Sequence, residues 1–202
     1  MGIRHFATAL ALVMITASAA HAADPPLTTP APRITIRIYD YAAIPSDLLA
    51  RSQKVVDRLY AEIGVQVDWA KTIAGGTPAS DSIQIDSREL IVVILNPRMS
   101  QLQLLPDNVV GVAATAPAES GRMAYVLYDR LDKLDFASNK QVMDAMGLVI
   151  AHELGHLLLP HGSHAPVGLM QPVWSLDMLQ TDQGQYGFSR AQAEVIRQAL
   201  RK

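Results

Sequence analysis

From Arg33 to Tyr39 the chain alternates polar and apolar residues, Arg-Ile-Thr-Ile-Arg-Ile-Tyr, and a period of two is the signature of a strand with one buried face. From Ser46 to Ile63 the period changes. Leu48, Leu49, Val55, Val56, Leu59, Tyr60 and Ile63 recur at helical spacing, with Ser46 as the expected N-cap and Gly64 as the stop. Val65 to Ala70 and Ile83 to Leu95 predict two more strands, and the second ends in the unbroken apolar run Leu90 to Leu95 expected of a central strand buried on both faces. Ala74 to Pro78, between them, reads as a loop. Gly111 to Ala114 predicts a short edge strand and Met123 to Tyr128 a further strand. The order strand, helix, strand, strand, short strand, strand, helix predicts an α/β (α+β) fold with a mixed twisted sheet, and no internal repeat is visible.

The two ends of the chain follow other patterns. Residues 1–22 carry Arg4, an apolar run from Phe6 to Ala19 and the small-x-small triplet Ala20-His21-Ala22, which together read as a secretory signal. Spanning a bilayer takes about 20 apolar residues, and this run is shorter. A secreted or periplasmic location follows, with no membrane anchor after cleavage. Residues 23–32 hold four prolines and form a flexible leader, so 33–202 is the expected single domain. Met170 to Phe188 shows little periodicity, an irregular C-terminal stretch that closes with a predicted helix from Ser189, its N-cap, to Leu200. Ala193, Val195, Ile196 and Leu200 are its apolar positions.

Composition narrows the chemistry. The 202 residues carry 17 Lys plus Arg against 19 Asp plus Glu, a formal charge of −2 that offers no field for a phosphate backbone, so nucleic acid is not expected as a partner. There is no Cys, hence no disulfide, no thiolate metal site and no cysteine nucleophile. Any metal must be held by His, Asp or Glu. Once the signal is removed, His5 and His21 go with it, and the four remaining histidines, His152, His156, His161 and His164, all fall in one short window. Neutral imidazole is the commonest metal-ligand side chain.

That window lies in and just beyond Lys140 to Pro160, KQVMDAMGLVIAHELGHLLLP, which is apolar nearly all round and predicts a buried helix with Met143 and Met146 as packing residues. Burying two imidazoles and a carboxylate there costs several kcal/mol unless they are paired or bound to a metal. His152 and His156 are at i and i+4, on one helical face about 6 Å apart, so both can reach one ion. Glu153 points to the neighbouring sector and can touch a water in the open ligand position. Zinc lowers the pKa of such a water to near 7, and the carboxylate takes its proton as it attacks a carbonyl.

A catalytic zinc needs a third protein ligand. Leu159 precedes Pro160 and avoids the α region, so the helix is expected to end near Leu158. His161 and His164 then return towards the ion, and a distant acid such as Glu194 is the remaining alternative. His164 is the better placed. Between His156 and His161 the chain has only four residues, one of them the stiff Pro160, whereas the longer path to His164 includes Gly162, which can take the positive φ of a reversal.

His152-Glu153-Leu154-Gly155-His156, a turn with further histidines, and Gly168-Leu169-Met170 together resemble the metzincin zinc peptidases, of a small secreted bacterial type, with the extended motif HExxHxxGxxH and a methionine turn. The preceding strands and helix are similar to that family's upper subdomain, so the resemblance covers most of residues 33 to 170. It implies His152 and His156 as zinc ligands, Glu153 as general base and Met170 as the turn methionine. It also implies that Gly111, Val112, Ala113 and Ala114 form the edge strand that holds an extended peptide. The family's glycine falls at Leu159 here and its third histidine at Gly162, so the turn departs from the pattern while the HELGH pair does not.

The expected function is a monomeric zinc metalloendopeptidase acting on a peptide or protein. A zinc-binding module without turnover shares its ligands, and Glu153 distinguishes the two, since a storage site gains nothing from a carboxylate that does not touch the metal. A histidine pH sensor would not need the HExxH register. Trp174 and Tyr186 are either cleft or packing residues.

Overall fold

The computed structural model describes residues 30–75, 89–114, 122–175, 179 and 186–201. Its strands are β1 (Arg33–Asp40), β2 (Gln66–Trp69), β3 (Ile73–Ala74), β4 (Glu89–Leu95), β5 (Gly111–Ala114) and β6 (Met123–Leu127). Its helices are α1 (Ser46–Glu62), α2 (Pro97–Leu102), α3 (Tyr128–Asp132), α4 (Asn139–Leu158) and α5 (Arg190–Ala199). The sheet runs β2-β1-β4-β6-β5, with β3 paired to the end of β1, and every pairing is parallel except β5 with β6. The elements all lie in the unit Ala31–Lys202. Among the described residues no helix is long and apolar enough to cross a membrane.

The alternation in β1 is realised as written: Ile34, Ile36 and Ile38 are buried while Arg33 is exposed and Thr35, Arg37 and Tyr39 are half-buried. β4, inside the sheet, is buried at all seven positions. Its Val92 and Ile94 join the main core under α1 and α4, and Ile91, Val93 and Leu95 join Leu127 in a smaller cluster on the opposite face. Arg37 and Glu89, on neighbouring strands, close a two-pronged ion pair at 2.7 Å, which satisfies two nearly buried charges at once. Residues 83–88 of the strand expected from Ile83 lie outside the described residues.

α1 buries Leu49, Ser52, Val55, Val56, Leu59 and Tyr60 along one face. Ser46 is not its N-cap. Pro45 takes that position with no side-chain bond, and the entry is shaped instead by the buried Asp40, whose carboxylate accepts from the N–H groups of Ala42 and Ile44. Gly64 ends the helix at φ +71 as expected. Three short elements carry too little periodicity to be read in advance: β3, which takes Ala74 out of the expected loop, α2, capped by Asn96, and α3, which claims Tyr128 from the expected strand.

α4 packs against α1 so closely that a Cβ at Gly147 would lie 2.6 Å from Val55 Cβ and 2.7 Å from the Ser52 carbonyl. Met143, Met146, Leu148, Ile150 and Leu154 are fully buried, so the helix is enclosed on most sides. It stops at Leu158, and Leu159 is extended at φ −103, ψ 156 ahead of Pro160. α5 starts at Ser189 with a reciprocal capping box to Gln192. Ala193 and Ile196 are buried and Leu200 half-buried; Val195, by contrast, is exposed, because it sits off the stripe they define.

Candidate metal centre

The last two turns of α4 carry the chemistry, and helical spacing sets the His152 and His156 rings edge-on with centroids 4.7 Å apart. Their Nε2 atoms are 3.0 Å apart. Beyond Leu159 the chain passes Pro160, reverses at Gly162 with φ +77, and returns His164 so that its Nε2 is 3.0 Å from His156 Nε2. The ligand atoms of His152, His156 and His164 all lie within 4.8 Å of one another. His161 is exposed on the rim of the same cleft and is not part of this group. Glu194 is also exposed, bonded to Arg197 and Gln198 of its own helix.

These donors fit a divalent metal. His152 Nδ1 is 2.7 Å from the Leu169 carbonyl, which can only accept, so Nδ1 carries the proton and Nε2 presents its lone pair to the group. His156 Nε2 faces two other ring nitrogens at the same distance, and one N–H can serve only one of them well. A cation between the three serves all. Tetrahedral zinc with Zn–N of about 2.0–2.1 Å sets its nitrogen ligands ~3.3 Å apart, within a few tenths of an ångström of the two separations here. The three-imidazole set therefore supports zinc. Burial lowers the pKa of His152, and burial together with the neighbouring imidazoles lowers that of His156 to about 4, so both are held in the neutral form that binds a metal.

Glu153 is buried beside the triad without joining it. Burial lifts its pKa to about 8, outweighing the nearby Ala113 N–H of β5, which favours the ionised form. Below the triad, Met170 is fully buried, and a Cβ on Gly155 would lie 2.6 Å from its Sδ, so the glycine of HELGH leaves the space that Met170 fills. The turn is tied by Ala165 N–H to the Met170 carbonyl and Leu169 N–H to the Gly187 carbonyl.

A cleft of about 680 Å³ opens over these groups. One wall is Asp107 to Ala113, the other Gln171 to Trp174, with Val149 and Leu179 between them. β5 is the sheet edge on this side. The Leu127 N–H bonds the Val110 carbonyl, and with Val112 opposite Tyr125 the alternation of an antiparallel ladder turns the polar groups of Gly111 and Ala113 away from β6. Arg130 holds the segment before β5 by donating to the carbonyls of Leu105, Pro106 and Val109. Trp174 lines the cleft, packs edge-on to His152 and stacks on Tyr186, which lies outside the lining. The apolar pattern places Val149 in the buried helix without showing that it also lines the cleft, and nothing in the sequence marks Arg130 or Gln171.

No protein-family model matches the chain, and no curated protein matches it. Solved structures do. Archaemetzincin from Methanopyrus kandleri aligns over 87% of this chain and 100% of its own, with 18% identity and a TM-score of 0.55. A zinc-dependent peptidase from Methanocorpusculum labreanum aligns over 80% and 99% at 17% identity and TM-score 0.53. Metalloproteinase-II from Bacteroides fragilis aligns over 88% of this chain and 56% of its own at 13% identity and TM-score 0.53. At these identities the likeness is one of fold.

Proposed function

We propose that the chain is a zinc-dependent peptidase that cleaves within extended polypeptides outside the cytoplasm, with His152, His156 and His164 as the zinc ligands and Glu153 as general base. One observation carries the reading. Three imidazole nitrogens converge at the floor of an open cleft, next to a buried carboxyl that is not one of the converging group. A metal store has no use for that carboxyl, whereas hydrolysis does. The likeness in fold to a zinc-dependent peptidase and a metalloproteinase supports the same reading, as does the secretion-like run of residues 1–22.

Bound zinc would supply a Lewis acid that acidifies water and polarises a substrate carbonyl. Glu153 takes the proton from the attacking water and returns it to the amide nitrogen as the C–N bond breaks. The outward carbonyls of Gly111 and Ala113 hold the substrate main chain by adding a strand to the sheet edge. The Leu169 carbonyl fixes the His152 tautomer, and Met170 supports the turn beneath the ligands.

The test is metal analysis of the purified protein beside digestion of casein with and without a chelator, repeated for Glu153→Gln. The expected result is one zinc per chain in both forms, chelator-sensitive cleavage by the parent, and a loss of about a thousandfold or more in turnover for the variant. Zinc retained with no cleavage by either form would show a binding module instead.

A further inference from the structure

At Gly111, the first residue of β5, a Cβ would stand 2.7 Å from Glu153 Oε1, 2.9 Å from Glu153 Cγ and 2.6 Å from Val149 Cγ1. Val149 and Glu153 stand on successive turns of α4 and line the cleft, so a Cβ at 111 is relieved only by shifting the Glu153 carboxyl from its place, by turning Val149, or by moving the strand. Two residues along the same strand, the Ala113 N–H lies close enough to the Glu153 carboxyl to favour its ionised form. Gly111 and Ala113 are the two β5 positions whose main-chain polar groups turn away from β6. The strand thus meets Glu153 twice, once through the nearby Ala113 N–H and once through a missing side chain.

We propose that Gly111 is a positioning residue: the bare backbone of the sheet edge sets where the Glu153 carboxyl stands, so one strand both receives the substrate main chain and places the general base. This rests on the peptidase reading for its catalytic consequence, while the contact itself does not. Any side chain at 111 must push the carboxyl off its place or drive β5 away from α4. A carboxyl displaced by even about 1 Å loses much of its catalytic effect, although zinc, held by the three imidazoles, stays bound.

Two measurements on the zinc-loaded full chain test it. The first is stability in urea for Gly111→Ala in the parent and in Glu153→Ala, each also combined with Val149→Ala to remove the second obstruction. Gly111→Ala should lower the midpoint in the parent and in Val149→Ala, and clearly less once Glu153 is truncated. The same loss in every background overturns the proposal. The second is peptide cleavage. Gly111→Ala should lower kcat at least tenfold with KM within about twofold and zinc content unchanged, and should cost nothing further in Glu153→Gln. An equal loss on top of Glu153→Gln, or unchanged kcat, also overturns it. If the parent cleaves no peptide, the peptidase reading fails, and the urea cycle alone decides whether the strand sets the carboxyl.

Discussion

On one side of the cleft β5 is held along its length by the antiparallel ladder to β6, whereas the facing side, from Leu159 to Trp174, contains no helix or strand and is held by separate hydrogen bonds and by Leu159, Leu169 and Met170 anchored in the core. The first wall offers main-chain groups, bare at Gly111, and the small side chains of Val112 and Ala113. The second offers side chains, among them His164, Gln171 and Trp174. A ladder distributes its stability over many bonds, so its position survives most single changes. A wall of separate tethers does not, and each tether can be cut alone. The metal-binding group takes two imidazoles from rigid α4 and one from the tethered wall. Zinc bound there would itself be the strongest of that wall's tethers, stabilising the fold in proportion to its occupancy.

The largest effect should therefore come from His164. His164→Ala removes the tethered wall's one contribution to the triad, and zinc affinity is expected to fall by more than the ~10–100-fold that loss of an outer partner costs. His161→Ala, on the rim, should change affinity less than threefold. Titration of each variant against a competing chelator checks both numbers. The assignment is wrong if His161→Ala alone releases the metal.

Next in size is the contact between the tethered wall and the helix. Gly155→Ala would gain about 1 kcal/mol of helix propensity at an interior position, but its Cβ would lie 2.6 Å from Met170 Sδ and 3.0 Å from Phe188 Cε1, and overpacking of that kind costs typically 1–3 kcal/mol. The expected net is a modest loss of unfolding free energy in the parent. In Met170→Ala, where the thioether is gone, the same substitution should turn neutral or stabilising. Denaturation by urea distinguishes the two, and a rise in the parent midpoint would mean that Met170 does not pack on Gly155.

The two walls also differ in how far they could be read from residues alone. β5 and the pair on α4 follow from periodicity and i,i+4 spacing, and the stop at Leu158 follows from the steric rule before proline. The return of His164 could be argued from Pro160 and Gly162, because both restrict or release φ in a known way. What could not be read is where tertiary contacts decide. Asp40, six residues ahead of Ser46, shapes the entry to α1 in its place through bonds from the N–H groups of Ala42 and Ile44. Val195 looks apolar enough for the core, yet the Ala193–Ile196 stripe leaves it facing solvent. Arg130 reaches back more than twenty residues to three carbonyls, a link no local pattern announces.

The smallest expected effect isolates one tether. Gln192 performs two tasks: its Oε1 accepts from the Ser189 N–H within the capping box of α5, and its Nε2 donates to the Ser163 carbonyl, next to His164, at 3.1 Å. Gln192→Glu keeps the first task, since a carboxylate accepts as well and favours a helix N-terminus. It abolishes the second, since a carboxylate has no proton to give and repels the carbonyl. Stability in urea should stay within about 0.5 kcal/mol of the parent, because the cap is intact. Zinc affinity should fall about two- to tenfold, the equivalent of one lost hydrogen bond of ~0.5–1.5 kcal/mol, because the segment carrying His164 must then be ordered by the metal itself. Gln192→Ala, which loses both tasks, should show the same fall in affinity plus a loss of ~1 kcal/mol in stability. Unchanged affinity in Gln192→Glu would mean that the wall without a ladder is stiff even without this tether, and that its difference from the β5 wall lies in what it presents to the cleft, not in how firmly it is held.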